Sequence, residues 1–185
     1  MGHDTARRWT AEEFLALPED DRRIELFDGV IVVTPSAVSR HELVIARISF
    51  ALMAQVDPLG GVVFGSSLDT RIDDRNVLQP DVQVFLPGHV HRIGPKFVEG
   101  PADLVAEVSS PKTKGRDRVR KRALYEGFGV AEFWIVDLDE DVIEVYRLHD
   151  GGYAAPQRLG HGDTVTTPLL PGWSAEVDWL LPDLP

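Results

Sequence analysis

The chain has 185 residues, 43% hydrophobic and 26% charged, with 30 acidic against 19 basic side chains and a net charge of −11. That length suits one domain with a real core, and the absence of cysteine excludes disulfides and thiolate zinc sites and fits a reducing, cytoplasmic setting. The acidity disfavours diffuse nucleic-acid binding, the N-terminus lacks the apolar stretch of a signal peptide, and no apolar run approaches bilayer length.

Trp9 to Phe14 reads as a short helix start, with Thr10 as cap, Glu13 at the capping-box position, Trp9 and Phe14 as a hydrophobic staple, and Pro18 closing it. Residues 23–27 and 30–33 flank Asp28-Gly29, a pair suited to a type I′ hairpin turn. A longer helix is predicted over 39–56, with Leu43, Ala46, Ile48, Leu52 and Met53 near helical spacing, stopping before Asp57-Pro58-Leu59-Gly60-Gly61. Strands follow at 62–66, 69–72 and 77–86, the last two joined by a turn at Asp73-Asp74-Arg75-Asn76. His89 to Gly100 is loop-like, and 103–109 is so evenly apolar that a strand covered on both faces is expected.

A helix over 115–128, a buried strand over 131–137 and a strand over 142–148 complete the central part. The segment after Gly151-Gly152 is rich in Pro and Gly, with Trp173, Trp179 and Leu180-Leu181 as apolar surface. The order predicts a mixed α/β fold around one central sheet flanked by helices, with an N-terminal helix and hairpin as an extension. One domain over 1–185 is expected, its core at about 10–150 and its tail at 151–185 covering that core or forming a dimer.

Three carboxylates stand in strand-like surroundings. By period two, Glu107 shares a face with Val105 and Ser109, where an unpartnered carboxylate is costly. It reads as a metal or hydrogen-bonded group, or else as a buried ion pair or a strand edge facing solvent. Asp81 follows Pro80 at the start of the alternation Val82, Val84, Leu86, although Pro-Asp is also ordinary turn chemistry. Glu25 shares a face with Phe27 in the first hairpin, as a ligand or as part of a surface hairpin.

Between Lys112 and Arg122 stand seven Lys or Arg and one Asp, a local charge of +6 that leaves −17 for the remainder. Lys114, Arg116 and Arg118 crowd the first turn of the predicted helix, where the helix dipole disfavours cations. The stretch is either a solvated basic face or one with an anion to meet. Acidic groups beside concentrated positive charge suit metal-dependent cleavage of a phosphodiester. Asp117, Lys121 and Tyr125 lie four apart on one helix face. Other chemistries fall away: His41-Glu42 lacks the second histidine of a zincin helix, and neither a phosphate loop, a nucleophile elbow nor a dinucleotide fingerprint is present.

The succession Ile24-Glu25-Leu26-Phe27-Asp28-Gly29, His41 opening a helix, Gln79-Pro80-Asp81, Glu107-Val108-Ser109-Ser110-Pro111, Asp117 with Lys121 and Tyr125, and Gly129 to Asp137 resembles the Uma-two family of restriction endonucleases. The resemblance spans about 10–148 and implies the restriction-endonuclease-like fold with a PD-(D/E)XK pattern. It implies Asp81 and Glu107 as carboxylates for Mg²⁺ or Mn²⁺, with Glu25 as a further acidic residue. The superfamily's lysine usually stands two residues after the Glu, where this chain has Ser109. Lys121 is the implied substitute and Lys112 the nearer one, redirected by Pro111.

The expected activity is metal-dependent hydrolysis of DNA, with Arg116, Arg118, Arg120 and Arg122 on flanking phosphates and a homodimer as the assembly. The alternative is a catalytically silent nuclease-fold domain that binds nucleic acid or a protein partner. Asp81 and Glu107 are expected side by side on adjacent strands at the mouth of a cleft. Lys121→Ala is expected to remove most metal-dependent cleavage while leaving the fold and the metal affinity nearly intact.

Overall fold

In the computed structural model, which describes residues 7–18, 22–33, 38–65, 68–109 and 116–184, Thr10 caps helix α1 (Ala11–Leu15). Its hydroxyl accepts the Glu13 N–H while the Glu13 carboxylate accepts the Thr10 N–H, completing the capping box. Trp9 packs against the cluster that holds Phe14. Strands β1 (Ile24–Phe27) and β2 (Val30–Val33) pair antiparallel, and Asp28 and Gly29 take φ of +46° and +76°, the left-handed pair that a type I′ turn needs.

Helix α2 (Ser39–Val56) has the expected bounds, but its buried stripe is Val44, Ile45, Ile48, Leu52 and Val56, while Ala46 faces solvent. Next come β3 (Val62–Gly65), β4 (Thr70–Arg71), β5 (Val77–Leu78) and β6 (Val82–Phe85). The single strand expected over 77–86 is thus two strands in different sheets. Pro80 has no N–H for a ladder, and Gln79-Pro80-Asp81 carries the chain from one sheet to the other. Pro87–Arg92 forms a 3-10 helix in the region expected to be loop. Strand β7 (Leu104–Ser109), helix α3 (Arg116–Phe128), β8 (Glu132–Asp137) and β9 (Val142–His149) follow, then β10 (Gly152–Tyr153), β11 (Gln157–Leu159), β12 (Thr164–Thr166), β13 (Ser174–Glu176) and α4 (Val177–Leu180).

Among the described residues the main sheet has seven strands in the order β10-β9-β8-β7-β6-β3, with β11 also pairing β9. Strands β7 and β8 are parallel, and α3 is the crossover such a pair requires. Strands β2-β1-β5-β4 make a second, antiparallel sheet, so the N-terminal hairpin is built into the fold, and β12 with β13 makes a third. Helix α2 covers one face of the main sheet, over Val82, Val84, Ala106, Val108, Trp134 and Val136. The other face presents Phe85, Val105, Phe133 and Ile135 to Tyr125 of α3 and Phe27 of β1.

Helix α2 approaches β3 so closely that a Cβ at Gly65 would lie 2.4 Å from Ser49 Oγ, which explains a glycine inside that strand. The C-terminal segment packs on the α2 side. Val165, Leu170, Trp173, Val177, Leu180 and Leu181 join that helix's core cluster, and Trp173 Nε1 donates to the Ala51 carbonyl at 2.9 Å. Trp179 stays 40% exposed. Among the described residues no helix is long and apolar enough to cross a membrane.

Candidate active site

The switch between sheets and the β6–β7 pairing together build the site. Val82 stands opposite Ala106, so the register carried one step further sets Asp81 against Glu107. Opposed residues of an antiparallel pair share a face, and here it is the α3 side. The Val108 N–H donates to Asp81 Oδ2 at 2.8 Å, fixing that carboxylate to the neighbouring strand.

Lys121 reaches the strands from α3. Its Nζ lies 2.9 and 3.0 Å from the two Glu107 oxygens and 3.0 Å from Glu25 Oε1. One turn later Tyr125 donates its hydroxyl to Glu107 Oε1 at 2.6 Å. Glu25 is buried and its Oε1 also accepts the Gln79 N–H at 2.9 Å, tying β1 to the crossing segment. Asp81, Glu107, Lys121 and Glu25 therefore meet in one place.

Two residues that the sequence reading did not assign to the site also stand here. Arg23 Nη1 donates to Asp81 Oδ1 at 2.6 Å, and Nη2 donates to the Gln79 carbonyl. His41, buried in the first turn of α2, holds Nε2 3.5 Å from Asp81 Oδ2. The Arg23 contact spans 58 positions of sequence, so no local spacing could reveal it. The one available signal was a cation directly before the strand that carries Glu25.

Three carboxylates face two cations, and burial and neighbouring charge pull Glu107 and Asp81 in opposite directions. Burial pushes Glu107 up to about 7; the Lys121 charge opposes the shift, while Asp81 and Glu25 add to it. Asp81 is held at about 2: burial works against its charge, but the His41 hydrogen bond and the Arg23 and Lys121 charges outweigh it. Lys121 and Arg23 are raised because the carboxylate charges overcome the cost of burial. Tyr125 is raised well above its ordinary value by burial and by the Glu107 charge. Burial also raises Asp69, which accepts from Gln79 Nε2 at 2.9 Å at the edge of the group.

The expected cleft mouth is closed. Asp81 is buried, the Glu107 side chain is 14% exposed, and Arg23 and Lys121 sit on the carboxylate oxygens. Two surface hollows lie on either side of Trp173. Among the described residues no three His, Cys, Asp or Glu side chains form a ready-made ion cage. The donor set nevertheless fits Mg²⁺ or Mn²⁺, since two adjacent hard oxygen ligands suffice for an ion that keeps several of its waters.

The α3 arginines diverge. Arg118 is held at 3.2 Å by Asp137 and at 2.5 Å by Glu144, both buried. Arg120 pairs with exposed Asp28 and stacks 5.2 Å above Phe27. Arg122 is exposed and lies 5.6 Å over Tyr146. Arg116 opens the helix, but its side chain, like that of Asp117, lies outside the described residues, as do Lys112 and Lys114.

Comparison with known proteins agrees with this architecture. The Uma2 family model, described as "Putative restriction endonuclease", matches residues 11–178. A crystal structure described as that of a "putative nuclease belonging to DUF820" from Anabaena variabilis superposes with a TM-score of 0.79 at 21% identity, covering 93% of this chain and 97% of that one. At that identity the likeness shows the fold. No curated protein matches.

Proposed function

The chain belongs to the Uma2 family, and from that membership and the site geometry we propose a metal-dependent endonuclease that hydrolyses DNA phosphodiester bonds. The observation that carries this reading is the meeting of Asp81, just before β6, with Glu107 of the adjacent β7 and with Lys121 Nζ 2.9 Å from Glu107 Oε1. Asp81 and Glu107 would hold Mg²⁺ or Mn²⁺, which when bound supplies Lewis acidity and a water of lowered pKa. Lys121 orients the attacking water and offsets charge that develops on the phosphate. Tyr125 fixes the rotamer of Glu107 by its 2.6 Å hydrogen bond, and Glu25 holds Lys121 from the other side.

Of the basic residues on α3, Arg120 and Arg122 suit the flanking phosphates. Both are exposed, and the Arg120–Asp28 pair is a surface pair of small net worth that a phosphate can replace. Arg118 serves better as an anchor, and Arg116 joins the phosphate set on its helix position alone. The same reading includes a cytoplasmic protein, in keeping with a chain without cysteine. It also includes a homodimer through the surface where Phe50, 66% exposed, meets the Trp179 ring at 6.2 Å.

The test is cleavage of single- and double-stranded DNA with Mg²⁺, Mn²⁺ or EDTA. Cleavage by the parent that EDTA abolishes, and that Asp81→Ala and Glu107→Ala both lose, is the expected result. A folded parent that cuts neither substrate with either ion overturns it in favour of a silent nuclease-fold domain.

A further inference from the structure

Arg23 belongs to no motif, yet it makes the shortest described contact to Asp81, 2.6 Å from Nη1 to Oδ1. The other oxygen of that carboxylate already accepts the Val108 N–H and faces His41. An ion approaching Asp81 therefore competes with the guanidinium for Oδ1. Arg23 lies just before β1, its side chain 23% exposed where Asp81 is nearly sealed, so it covers the open side of the carboxylate. Its Nε is buried with no hydrogen-bond partner among the described residues. A buried donor left unmet is costly, so this seat does not satisfy the whole fork of donors. The planar fork of arginine matches two oxygens of a phosphate.

Charge balance points the same way. With Asp81, Glu107 and Glu25 ionised and His41 neutral, the metal-free site carries three negative charges against two positive ones, and a divalent ion would take that balance past neutrality by one charge. Release of Arg23 restores it and frees the guanidinium for a substrate phosphate.

We propose that Arg23 is a built-in cationic competitor: it holds Asp81 in the metal-free protein, sets the divalent-ion affinity of the site, and turns to the substrate phosphate when an ion takes its place. This rests on the metal-site reading above. Metal binding and cleavage should then move in opposite directions when Arg23 is replaced. A merely structural residue would lower both.

The test is calorimetric titration of Mn²⁺ into the parent, Arg23→Ala and Arg23→Gln, without DNA, with folding checked by circular dichroism. Arg23→Gln keeps an amide donor for the Gln79 carbonyl and so guards against loss of the fold. Both variants are expected to bind Mn²⁺ roughly tenfold more tightly, because a cation in contact with the ligand has gone. Cleavage at saturating Mn²⁺ is expected to fall about 10²-fold, the usual loss for one positioned charge. Folded variants that bind Mn²⁺ no more tightly than the parent overturn the proposal while leaving the metal site standing. A parent that binds no Mn²⁺ overturns both. Tighter Mn²⁺ binding in proteins that cut no DNA upholds the competitor role of Arg23 and removes its phosphate role together with the nuclease reading.

Discussion

Glu107 lies on an apolar strand face with Asp81 opposite it and Glu25 across Lys121, and burial lifts it to about 7. A raised acid favours the folded state below its unfolded value near 4.5 and loses that contribution as pH climbs through 7. Metal-free parent is therefore expected to lose stability between about pH 4.5 and 7 relative to Glu107→Gln, which keeps an oxygen for Tyr125 and Lys121. Thermal melts in EDTA at pH 5 and pH 8 check this: the variant should melt several degrees above the parent at pH 8, and the gap should shrink to about a quarter of that at pH 5. Equal melting of the two at pH 8 would refute it.

Lys121→Met has the opposite sign. It leaves Glu107 and Glu25 as buried carboxylates without their shared cation, a loss of about 3–5 kcal/mol by analogy with broken buried pairs. The sequence alone suggested that replacing this lysine would spare the fold, and the geometry revises that. Cleavage by the variant is expected to fall about 10²–10³-fold even at temperatures where circular dichroism finds it folded.

Helix α3 divides its duties by face. Lys121 and Tyr125, four apart, point to Glu107. Arg118 ties the helix to Asp137 at the end of β8 and Glu144 within β9, and Arg120 leans toward Asp28 and Phe27 of the first hairpin. Arg118→Ala is expected to lower stability by about 1.5–3 kcal/mol, because hydrogen bonds to buried carboxylates are lost, as chemical denaturation would measure. Arg122→Ala should leave the denaturation midpoint unchanged and weaken DNA binding, flattening the dependence of log Kd on log salt by about one counterion. If the two effects exchange places, the division of the helix into anchor and phosphate faces is wrong.

At the scale of the whole molecule, both faces of the main sheet are covered by different parts of the chain: α2 with the C-terminal segment on one, α3 with the first hairpin on the other. The C-terminal apolar residues are part of the same cluster as α2. Trp173→Ala removes a buried ring tilted 31° to Trp134 at 6.0 Å and the hydrogen bond to the Ala51 carbonyl, and is expected to cost about 3–5 kcal/mol in denaturant melts. A loss under 1 kcal/mol would mean the segment is only loosely laid on the core. Phe50→Glu tests the proposed dimer by light scattering, because that exposed ring contributes nothing to the core cluster. A dimer that survives the change would place its interface elsewhere.

Local physics was legible without coordinates. The Thr10 capping box, the Asp28-Gly29 turn, the 39–56 helix and the strand bearing Glu107 each depend on neighbours a few residues away, and so does the placement of Lys121 and Tyr125 on one helix face. The family resemblance rested on the same short patterns, so the fold class could be named from the sequence, and so could Asp81, Glu107, Lys121 and Glu25, which the fold brings together. What the sequence left open was decided by contacts between distant segments. The break at Pro80 that sends β5 and β6 into separate sheets depends on which strands are available as partners. Arg23 on Asp81, His41 beside it and Arg118 on Asp137 and Glu144 are polar contacts between segments with no periodic relation in the chain. A side chain's charge is written in the sequence, but what neutralises it is set by packing.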